Sequence, residues 1–233
     1  MALLIVFSAI AFSYVYFADN NVSDEQNVSS QENVTLANTS IGSVKVMKNV
    51  GNPDSPKRIA YVVGVHPLEH EVHETLVNML PSLTDLDYCY DIYVINVTED
   101  VGHYGDGMSD SESPGRQNGQ NLAYEYVYPE IKNGSYDLAI DVHSNVGAYP
   151  YETFVFSPVR ESAGAEYAAE VADKCLDISY YAPDSTTSGP YLTIPLNENG
   201  IPAFYFEEYS FASQDLKDEH ILELIYAVDG LGL

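Results

Sequence analysis

The fold is decided by the stretch Arg58-Ile-Ala-Tyr-Val-Val-Gly-Val-His66-Pro-Leu-Glu69, an apolar run that ends in a histidine and a carboxylate. Such a run, closed by a glycine, is typical of a strand buried on both faces of a mostly parallel sheet. Pro67 disfavours a helical backbone for His66 and favours a helix start, so we expect His66 at the strand end and Glu69 in the next turn. Ligands bind at this end of such strands. A histidine and a glutamate three residues apart there can share a zinc ion.

A second apolar run, Tyr136-Asp-Leu-Ala-Ile-Asp141-Val-His143-Ser144-Asn145, also ends in a histidine. Asp141 and His143 are two positions apart, so their side chains share one face of a strand. His143 is therefore a candidate third ligand of a zinc site, and Asp141 is a candidate for the carboxylate that orients its imidazole. The motif alone leaves open a hydrogen-bonded histidine with no metal.

A third apolar run, Gly200-Ile-Pro-Ala-Phe-Tyr-Phe-Glu207-Glu208-Tyr209, ends in two carboxylates. A zinc site with three protein ligands keeps a position for water, and hydrolysis needs a nearby carboxylate as general base and later as general acid. Glu207 or Glu208 can take this role. An acidic pair at a solvated strand end is the alternative.

The order of elements along the chain predicts the fold class. Strands that alternate with helices are typical of an α/β fold, here a doubly wound mixed sheet with helices on both faces. The patterns place strands near 59–65, 88–97, 136–142, 152–156 and 202–207, and helices near 67–80, 117–128, 161–175 and 214–227.

Together, the three strand ends resemble the zinc carboxypeptidase family, with its succinylglutamate desuccinylase and aspartoacylase relatives. That family holds one zinc ion with His-x-x-Glu and a distant histidine, which correspond here to His66, Glu69 and His143. Its catalytic glutamate ends a late strand within Phe-x-x-Glu, so the resemblance makes Glu207 the general base. Glu208, on the other strand face, is the second candidate. The resemblance implies a zinc carboxypeptidase-like catalytic domain over residues 46–233.

The family also uses an arginine to polarise the scissile carbonyl and a loop tyrosine to bind substrate. Arg116 is the only arginine between Arg58 and Arg160. The resemblance makes it a catalytic and substrate-binding residue that faces the developing oxyanion. Tyr191 is the best positional match to the loop tyrosine, with Tyr180 and Tyr181 as the next candidates, and Asn121 is a further candidate for substrate binding. The alternative for Arg116 is a loop arginine paired with a surface carboxylate.

The chain departs from the family at the Asn-Arg pair that holds a substrate's C-terminal carboxylate. Asn118, Gln120 and Asn121 are present in this region, but a second arginine is not. We therefore expect a zinc-dependent enzyme that hydrolyses an amide bond in a cell-wall or environmental peptide, with exopeptidase specificity left open. The alternatives are a non-catalytic surface module that binds peptide and a deacylase of small N-acyl amino acids.

A rival zinc motif overlaps the first one. His66-Pro-Leu-Glu69-His70 also fits His-x-x-Glu-His, in which both histidines bind zinc from one helix. Pro67 argues against a helical His66, and this arrangement would leave His143 and Glu207 unexplained. We expect His70 and His73 to be partly exposed side chains of the helix that begins at Pro67.

The first residues predict a location outside the cytoplasm. Residues 1–18 form an almost uninterrupted apolar stretch, which indicates a membrane anchor. The alternative is a signal peptide, whose cleavage would release a secreted protein. Residues 19–45 are rich in Asn, Ser and acid, which predicts a disordered stalk. Glycosylation sequons indicate an extracytoplasmic glycoprotein, and a single small domain with such an anchor fits a bacterial or archaeal cell. The sequons lie at Asn21, Asn27, Asn33, Asn38, Asn96 and Asn133.

The formal net charge of −26, from 35 acidic and 9 basic residues, argues against a nucleic-acid partner and against attraction to anionic lipid. We expect a monomer that meets a membrane only through its N-terminal anchor. Whether Cys89 and Cys175 pair depends on a distance that the sequence does not contain.

Overall fold

A computed structural model describes residues 31–99, 101 and 114–233 of the protein. These residues form one eight-stranded sheet with helices on its faces. In chain order the strands are β1 (Glu32–Asn38), β2 (Gly42–Gly51), β3 (Arg58–Val63), β4 (Cys89–Val97), β5 (Leu138–Asn145), β6 (Phe154–Phe156), β7 (Ser179–Tyr180) and β8 (Ala203–Tyr209). Their order across the sheet is β1-β2-β4-β3-β5-β8-β6-β7.

The four central strands β4, β3, β5 and β8 run parallel to one another. On one side β2 and β1 continue the sheet in antiparallel fashion, and on the other side β6 is antiparallel to β8. The mixed sheet of the predicted α/β class is therefore confirmed. The carboxyl ends of the four parallel strands meet at one end of the sheet, which is called the carboxyl end below.

Helices cover both faces of the sheet, as predicted. Alternate residues of a strand point to opposite faces, and in the central strands both sets are apolar, so each face needs a covering layer. Ile59 and Tyr61 of β3 belong to one apolar core, and Ala60 and Val62 belong to the other. Helices α1 (His70–Met79), α4 (Ala163–Lys174) and α6 (Gln214–Asp229) pack on the first face, and α2 (Pro114–Leu122), α3 (Tyr128–Asn133) and α5 (Thr193–Glu198) pack on the second.

The predicted disordered stalk over 19–45 is wrong for the part that the structure describes. Strands β1 and β2 form an antiparallel pair, and β2 also pairs with β4, so residues 32–45 belong to the sheet rather than to a stalk. The reason is a period-two pattern hidden in the polar composition, in which Val44 and Val46 are buried while Lys45 is exposed. Pairing with the sheet gives these short apolar positions a core that an isolated stalk lacks.

The predicted helix over 117–128 is longer than expected. Helix α2 begins at Pro114, and a wide helical turn over Ala123–Val127 joins it to α3, which ends at Asn133. Pro129 lacks a backbone N–H, and the wide turn directly before it is the irregularity typical of an interrupted helical ladder. Helix α5 and the two-residue strand β7 were not predicted.

The predicted anchor over 1–18 and the sequons at Asn21 and Asn27 lie outside the described residues. Among the residues that the structure describes, no helix has the length and apolar character needed to cross a bilayer. Cys89 is buried, Cys175 is half-buried, and both are free thiols.

Candidate metal centre

The carboxyl end of the sheet brings the predicted metal ligands together. After β3 the chain turns at Gly64 with φ +87°, where an ideal Cβ would lie 1.9 Å from a β4 carbonyl oxygen, so only glycine fits. His66 follows with an extended backbone, as expected before a proline. The short helical turn Pro67–Glu69 then places Glu69 beside His66, and both face His143 of β5.

His66, Glu69 and His143 form a buried cluster whose ligand atoms all lie within 4.8 Å of one another. His66 Nδ1 is 2.9 Å from Glu69 Oε1. His143 Nδ1 is 2.9 Å from both His66 Nδ1 and Glu69 Oε2. Two imidazole nitrogens and a carboxylate oxygen are a donor set that zinc and other divalent transition metals accept. The three residues predicted as ligands are thus brought to one place.

The charges of this cluster favour a cation. Burial favours the neutral form of Glu69, yet the neighbouring His66 and His143 outweigh it and hold the pKa of Glu69 well below its usual range. Burial lowers the pKa of His66 to about 3, so this imidazole is neutral. Burial also opposes charge on His143, but Asp141 and Glu69 raise the pKa of His143 well above its usual value. A metal ion that binds here would replace the proton on His143, because a ligating imidazole must be deprotonated.

Asp141 lies directly behind His143, as predicted, with Oδ1 3.0 Å from His143 Nε2. The two groups are close but not aligned, and among the described residues neither Asp141 oxygen nor His143 Nε2 has a hydrogen-bond partner. A small rotation of the ring on metal binding would align Nε2–H with Asp141, which is how carboxylates orient ligating histidines. The donor set and this unsatisfied pair together fit a metal ion.

Glu207 lies beside the cluster on the neighbouring strand. In the parallel pairing of β5 and β8 it is opposite His143, so the two side chains share one face of the sheet. The residue is half-buried, and burial raises the pKa of Glu207 to about 8, although the charge of His143 acts against this. A carboxyl with a pKa in this range can both accept and return a proton near neutral pH. A cation bound by the cluster would lower that pKa again.

Glu208 points to the opposite face of β8 and is fully buried there. Its Oε2 lies 2.9 Å from His220 Nδ1 on α6, and Thr153 donates its hydroxyl to Oε1 over 3.1 Å. Both carboxylate oxygens are therefore occupied on the side of the sheet away from the metal ligands. This geometry favours Glu207 over Glu208 as the general base.

Helix α2 directs Arg116 and Gln120, one turn apart, at the cluster. Arg116 Nη1 is 3.4 Å from Glu69 Oε1, and Nη2 donates a hydrogen bond to Thr187 Oγ1 over 2.9 Å. The Gln120 carboxamide nitrogen is 3.3 Å from His66 Nε2. The two ends of a carboxamide are assigned from their surroundings, and with its oxygen toward His66 the amide would accept Nε2–H and leave Nδ1 to the metal.

Gly119 permits this close approach of α2 to the sheet. An ideal Cβ at this position would lie 2.0 Å from the carbonyl oxygen of Val65, the residue that precedes His66. Without a side chain, the helix can rest directly on the backbone of the strand end. The contact therefore fixes the distance between α2 and the first metal ligand.

Asn121 and Tyr191 meet at a different part of α2. Gln117 Nε2 donates hydrogen bonds to Asn121 Oδ1 over 2.9 Å and to the Tyr191 hydroxyl over 3.0 Å. Tyr191 belongs to the short helical turn Gly189–Tyr191. Within the described part of the chain, neither residue makes a hydrogen bond to the cluster, and substrate binding by Asn121 and Tyr191 stays a prediction.

The two histidines of α1 behave differently from each other. His70 is exposed and lies 3.7 Å from Glu74, so the rival His-x-x-Glu-His arrangement, which needs a helical His66 beside it, is not formed. The expected partial exposure of His73 is wrong. His73 is buried, and its Nε2 lies 2.9 Å from the Val142 carbonyl oxygen, so it binds the strand that carries His143.

Three residues near the cluster were not predicted as functional, namely Gln120, Thr187 and Tyr149. The spacing of four between Arg116 and Gln120 does indicate one helix face. Thr187 lies in a loop that returns to the site from a distant part of the sequence, and Tyr149 lies in the loop that follows β5, six residues after His143. No motif singled out either residue.

No protein-family model and no curated protein sequence matches the chain. Solved structures do. The tripeptide-bound cell shape determinant Csd4 of Helicobacter pylori has a TM-score of 0.56 and 13% identity over 80% of this chain and 54% of that chain. A metallo-carboxypeptidase from Pseudomonas aeruginosa, in complex with (2-guanidinoethylmercapto)succinic acid, has a TM-score of 0.52 and 16% identity over 84% of this chain and 64% of that chain. A metallo-carboxypeptidase from Burkholderia cenocepacia has a TM-score of 0.53 and 13% identity over 87% and 65%.

This chain spans between 54% and 65% of the length of these three proteins, and at such low identities the likeness shows the fold. The His-Glu-His cluster at the carboxyl end of the sheet and the match to metallo-carboxypeptidases both suggest a bound metal ion. The protein therefore has a zinc carboxypeptidase-like fold with a candidate metal centre at the carboxyl end of its parallel strands.

Proposed function

We propose that this protein is a zinc-dependent hydrolase of amide bonds in peptides, with His66, Glu69 and His143 as the zinc ligands. The observation that carries this proposal is the buried cluster of these three residues with Glu207 opposite His143 on the next strand. A zinc site with three protein ligands leaves a position open for water. The tripeptide in the Csd4 structure and the metallo-carboxypeptidase matches support a peptide as the substrate class.

In this mechanism Glu207 moves the proton. A zinc ion held by the cluster would supply Lewis-acid activation of water and of the scissile carbonyl. Glu207 accepts a proton from the attacking water while the new C–O bond forms and the carbonyl π electrons move to oxygen. The same carboxyl then returns the proton to the leaving nitrogen as the C–N bond breaks and the oxyanion re-forms the carbonyl, so the products are a carboxylic acid and an amine. The proton of the acid then passes to the amine, which gives a carboxylate and an ammonium.

Arg116 stabilises the negative charge that develops on the carbonyl oxygen. Its side chain is only 15% exposed and is held between Glu69 and Thr187, so its donors are oriented before the reaction begins. Asp141 and Gln120 orient the two ligating imidazoles from the side away from the reacting atoms.

The proposed substrate is a cell-wall or environmental peptide, hydrolysed by a monomeric extracytoplasmic enzyme that residues 1–18 anchor to the membrane. Exposed sequons support the location. Asn33 and Asn38 lie on β1, Asn96 lies on β4 and Asn133 ends α3, and all four side chains are exposed to solvent. Each is accessible to an oligosaccharide if the chain passes through a glycosylating compartment.

The metal and the reaction can be tested together on the full chain. Zinc is measured by mass spectrometry of the metal after exhaustive dialysis, and cleavage is measured on a peptide library in which every member is also present as its C-terminal amide. We expect one zinc ion per chain and cleavage of library members. His143→Ala should lose both, while His70→Ala, the matched control on the exposed face of α1, should keep both.

Zinc retained in His143→Ala but lost in His70→Ala would overturn the ligand assignment. Stoichiometric zinc without cleavage of any library member would overturn the assignment of a peptide hydrolase. Cleavage of acids but not of their amides would show that a free carboxylate is required, and equal cleavage of both would show that the reaction does not need one.

A further inference from the structure

A patch of aromatic rings adjoins Glu207 on the side away from the metal ligands. Strand β6 pairs with β8 so that Phe154 is opposite Glu207. On its other flank Glu207 is opposite His143 of β5. A line across the sheet therefore runs from the metal ligand through the proposed general base to a phenylalanine, with all three side chains on one face.

Two tyrosines, Tyr149 and Tyr181, pack against this phenylalanine, and a third, Tyr151, packs against Tyr181. The three tyrosines are called the aromatic platform here. The ring centroid of Tyr149 is 5.1 Å from that of Phe154, and the Tyr181 centroid is 5.5 Å from it, both edge to face. Tyr181 also lies 6.1 Å from Tyr149 and 5.8 Å from Tyr151. Such edge-to-face contacts hold the rings in place.

The platform is open to solvent although its base is not. Phe154 is fully buried, whereas Tyr149 is 36% exposed and Tyr151 is 45% exposed. Within the described residues, no hydrogen bond ends on the phenolic oxygen of either exposed tyrosine. A surface of oriented rings with a polar rim is suited to bind a bulky apolar group, whereas isolated exposed tyrosines would turn freely.

The platform also lies within electrostatic range of the proposed catalytic groups. Burial raises the pKa of Tyr149, the carboxyl of Glu207 adds to this effect, and the guanidinium of Arg116 acts against it. Independently of this effect, the Tyr149 ring packs on Phe154, which is opposite Glu207 in the strand pairing. A substrate whose scissile amide lies between Glu207 and Arg116 would place a neighbouring side chain over these rings.

We infer that the aromatic platform is a specificity subsite, which binds a large apolar or aromatic side chain of the substrate residue next to the scissile amide. The inference rests on the proposed peptide hydrolysis and adds a substrate class to it. The platform offers ring faces and hydroxyl groups but no charged group, so it favours phenylalanine or leucine over alanine or aspartate at this position.

The experiment compares kcat/KM for four peptides that differ only at this residue, which is Phe, Leu, Ala or Asp. Wild type should prefer Phe to Ala, and Tyr149→Ala should reduce the Phe-to-Ala ratio by about tenfold, as expected for loss of one apolar contact. Tyr149→Phe should keep the ratio, because the ring remains. Tyr226→Ala, an exposed tyrosine of α6 that contacts Asp85, is the matched control and should also keep it.

A Phe-to-Ala ratio that is unchanged in both Tyr149→Ala and Tyr151→Ala would overturn the inference, and so would an equal loss for all four peptides. Failure of the proposed hydrolysis is distinguishable. If wild type cleaves none of the peptides, binding is measured by calorimetry, where the platform still predicts tighter binding of the Phe peptide and about tenfold weaker binding by Tyr149→Ala. Equal binding of the Phe and Ala peptides would then overturn it.

Discussion

Two buried polar clusters occupy opposite ends of the same parallel strands. At the amino end, Asp91 of β4 receives two hydrogen bonds from Arg58 Nη1, at 2.8 and 2.9 Å, and one from the Asn49 backbone N–H at 3.0 Å. The Tyr136 hydroxyl donates to Asp91 Oδ2 over 2.5 Å and also lies 2.7 Å from the Tyr93 hydroxyl. Every acceptor site of this buried carboxylate is used by the chain itself.

The carboxyl end also contains buried carboxylates, but their nearest partners are imidazoles rather than a guanidinium. Glu69 lies 2.9 Å from both His66 Nδ1 and His143 Nδ1. It accepts the Ser144 backbone N–H over 3.0 Å, whereas the Arg116 guanidinium is at 3.4 Å. Asp141 lies 3.0 Å from His143 Nε2. Both oxygens of Asp141 lack a hydrogen-bond partner among the described residues. A buried carboxylate closed by the chain's own cation is complete as a structural element. A buried carboxylate among imidazoles, which can exchange a proton for a metal, is suited to bind a cation from outside.

The largest effect is expected at Glu207, which lies beside the carboxyl-end cluster but is not one of its proposed metal ligands. Glu207→Gln should lower kcat by about 10²- to 10⁴-fold, because the amide cannot accept the proton of the attacking water. Zinc content and thermal stability should stay at wild-type values. Glu208→Gln is the control on the other face and should have the smaller effect on kcat. The reverse order would mean that the opposite face of β8 carries the chemistry.

Arg116 should show the next largest effect. Arg116→Lys should lower kcat by about 10²-fold with a small change in KM, since a lysine does not reproduce the oriented guanidinium donors and the interaction strengthens only as charge develops. Steady-state kinetics on one peptide and its C-terminal amide measure this. Arg160→Lys, an exposed arginine paired with Asp184, is the control and should be neutral. A rise in KM that is confined to substrates with a free carboxylate would show that Arg116 binds that carboxylate instead.

The closed cluster should respond in stability rather than in activity. Asp91→Asn removes the partner of Arg58 and should lower the free energy of unfolding by about 3 kcal/mol in urea titrations. The zinc content of the folded fraction should not change. Asp137→Asn, in the more exposed pair with Lys57 at the same end, should cost less. Loss of zinc in Asp91→Asn would show that the two ends are not independent.

The smallest effect is expected from the His220–Glu208 pair. The hydrogen bond with Glu208 raises the pKa of His220 above its usual value, although partial burial acts against it. The stabilisation is therefore complete below about pH 6.5 and is lost as the pH rises through the raised pKa of the folded state. Thermal melting across this range should show a decline that His220→Gln reduces. Melting temperatures of wild type that rise relative to His220→Gln over the same range would contradict this sign.

The central sheet and the cluster of His66, Glu69 and His143 were predictable because the relevant signals are local. The runs before His66, His143 and Glu207 are continuous and apolar, which indicates strands buried on both faces, and each ends in a group with metal or proton chemistry. Strands that run parallel must bring such ends together. Pro67 further specified the extended backbone of His66, which distinguishes the observed site from the rival motif.

Other features depend on tertiary contacts that the sequence does not display. Strand β1 was taken for part of a stalk because residues 19–45 as a whole are rich in Asn, Ser and acid, while its stability comes from pairing with β2. His73 is buried because its partner is a backbone carbonyl of a strand 69 residues away. The aromatic platform is assembled from Tyr149 and Tyr181, which belong to different loops, so no spacing rule predicts it.

Gly119 has no functional group, yet its contact with the strand end determines where Arg116 and Gln120 lie. Even a methyl group would lie 2.0 Å from the Val65 carbonyl oxygen, so any larger residue must push helix α2 away from the strand end. Arg116 and Gln120 would retreat together, because one rigid helix carries both. A displacement of about 1 Å can cost as much as 10²-fold in rate. The absence of a side chain at Gly119 therefore determines how close Arg116 lies to the cluster, and a redesign of the helix surface has to keep this glycine.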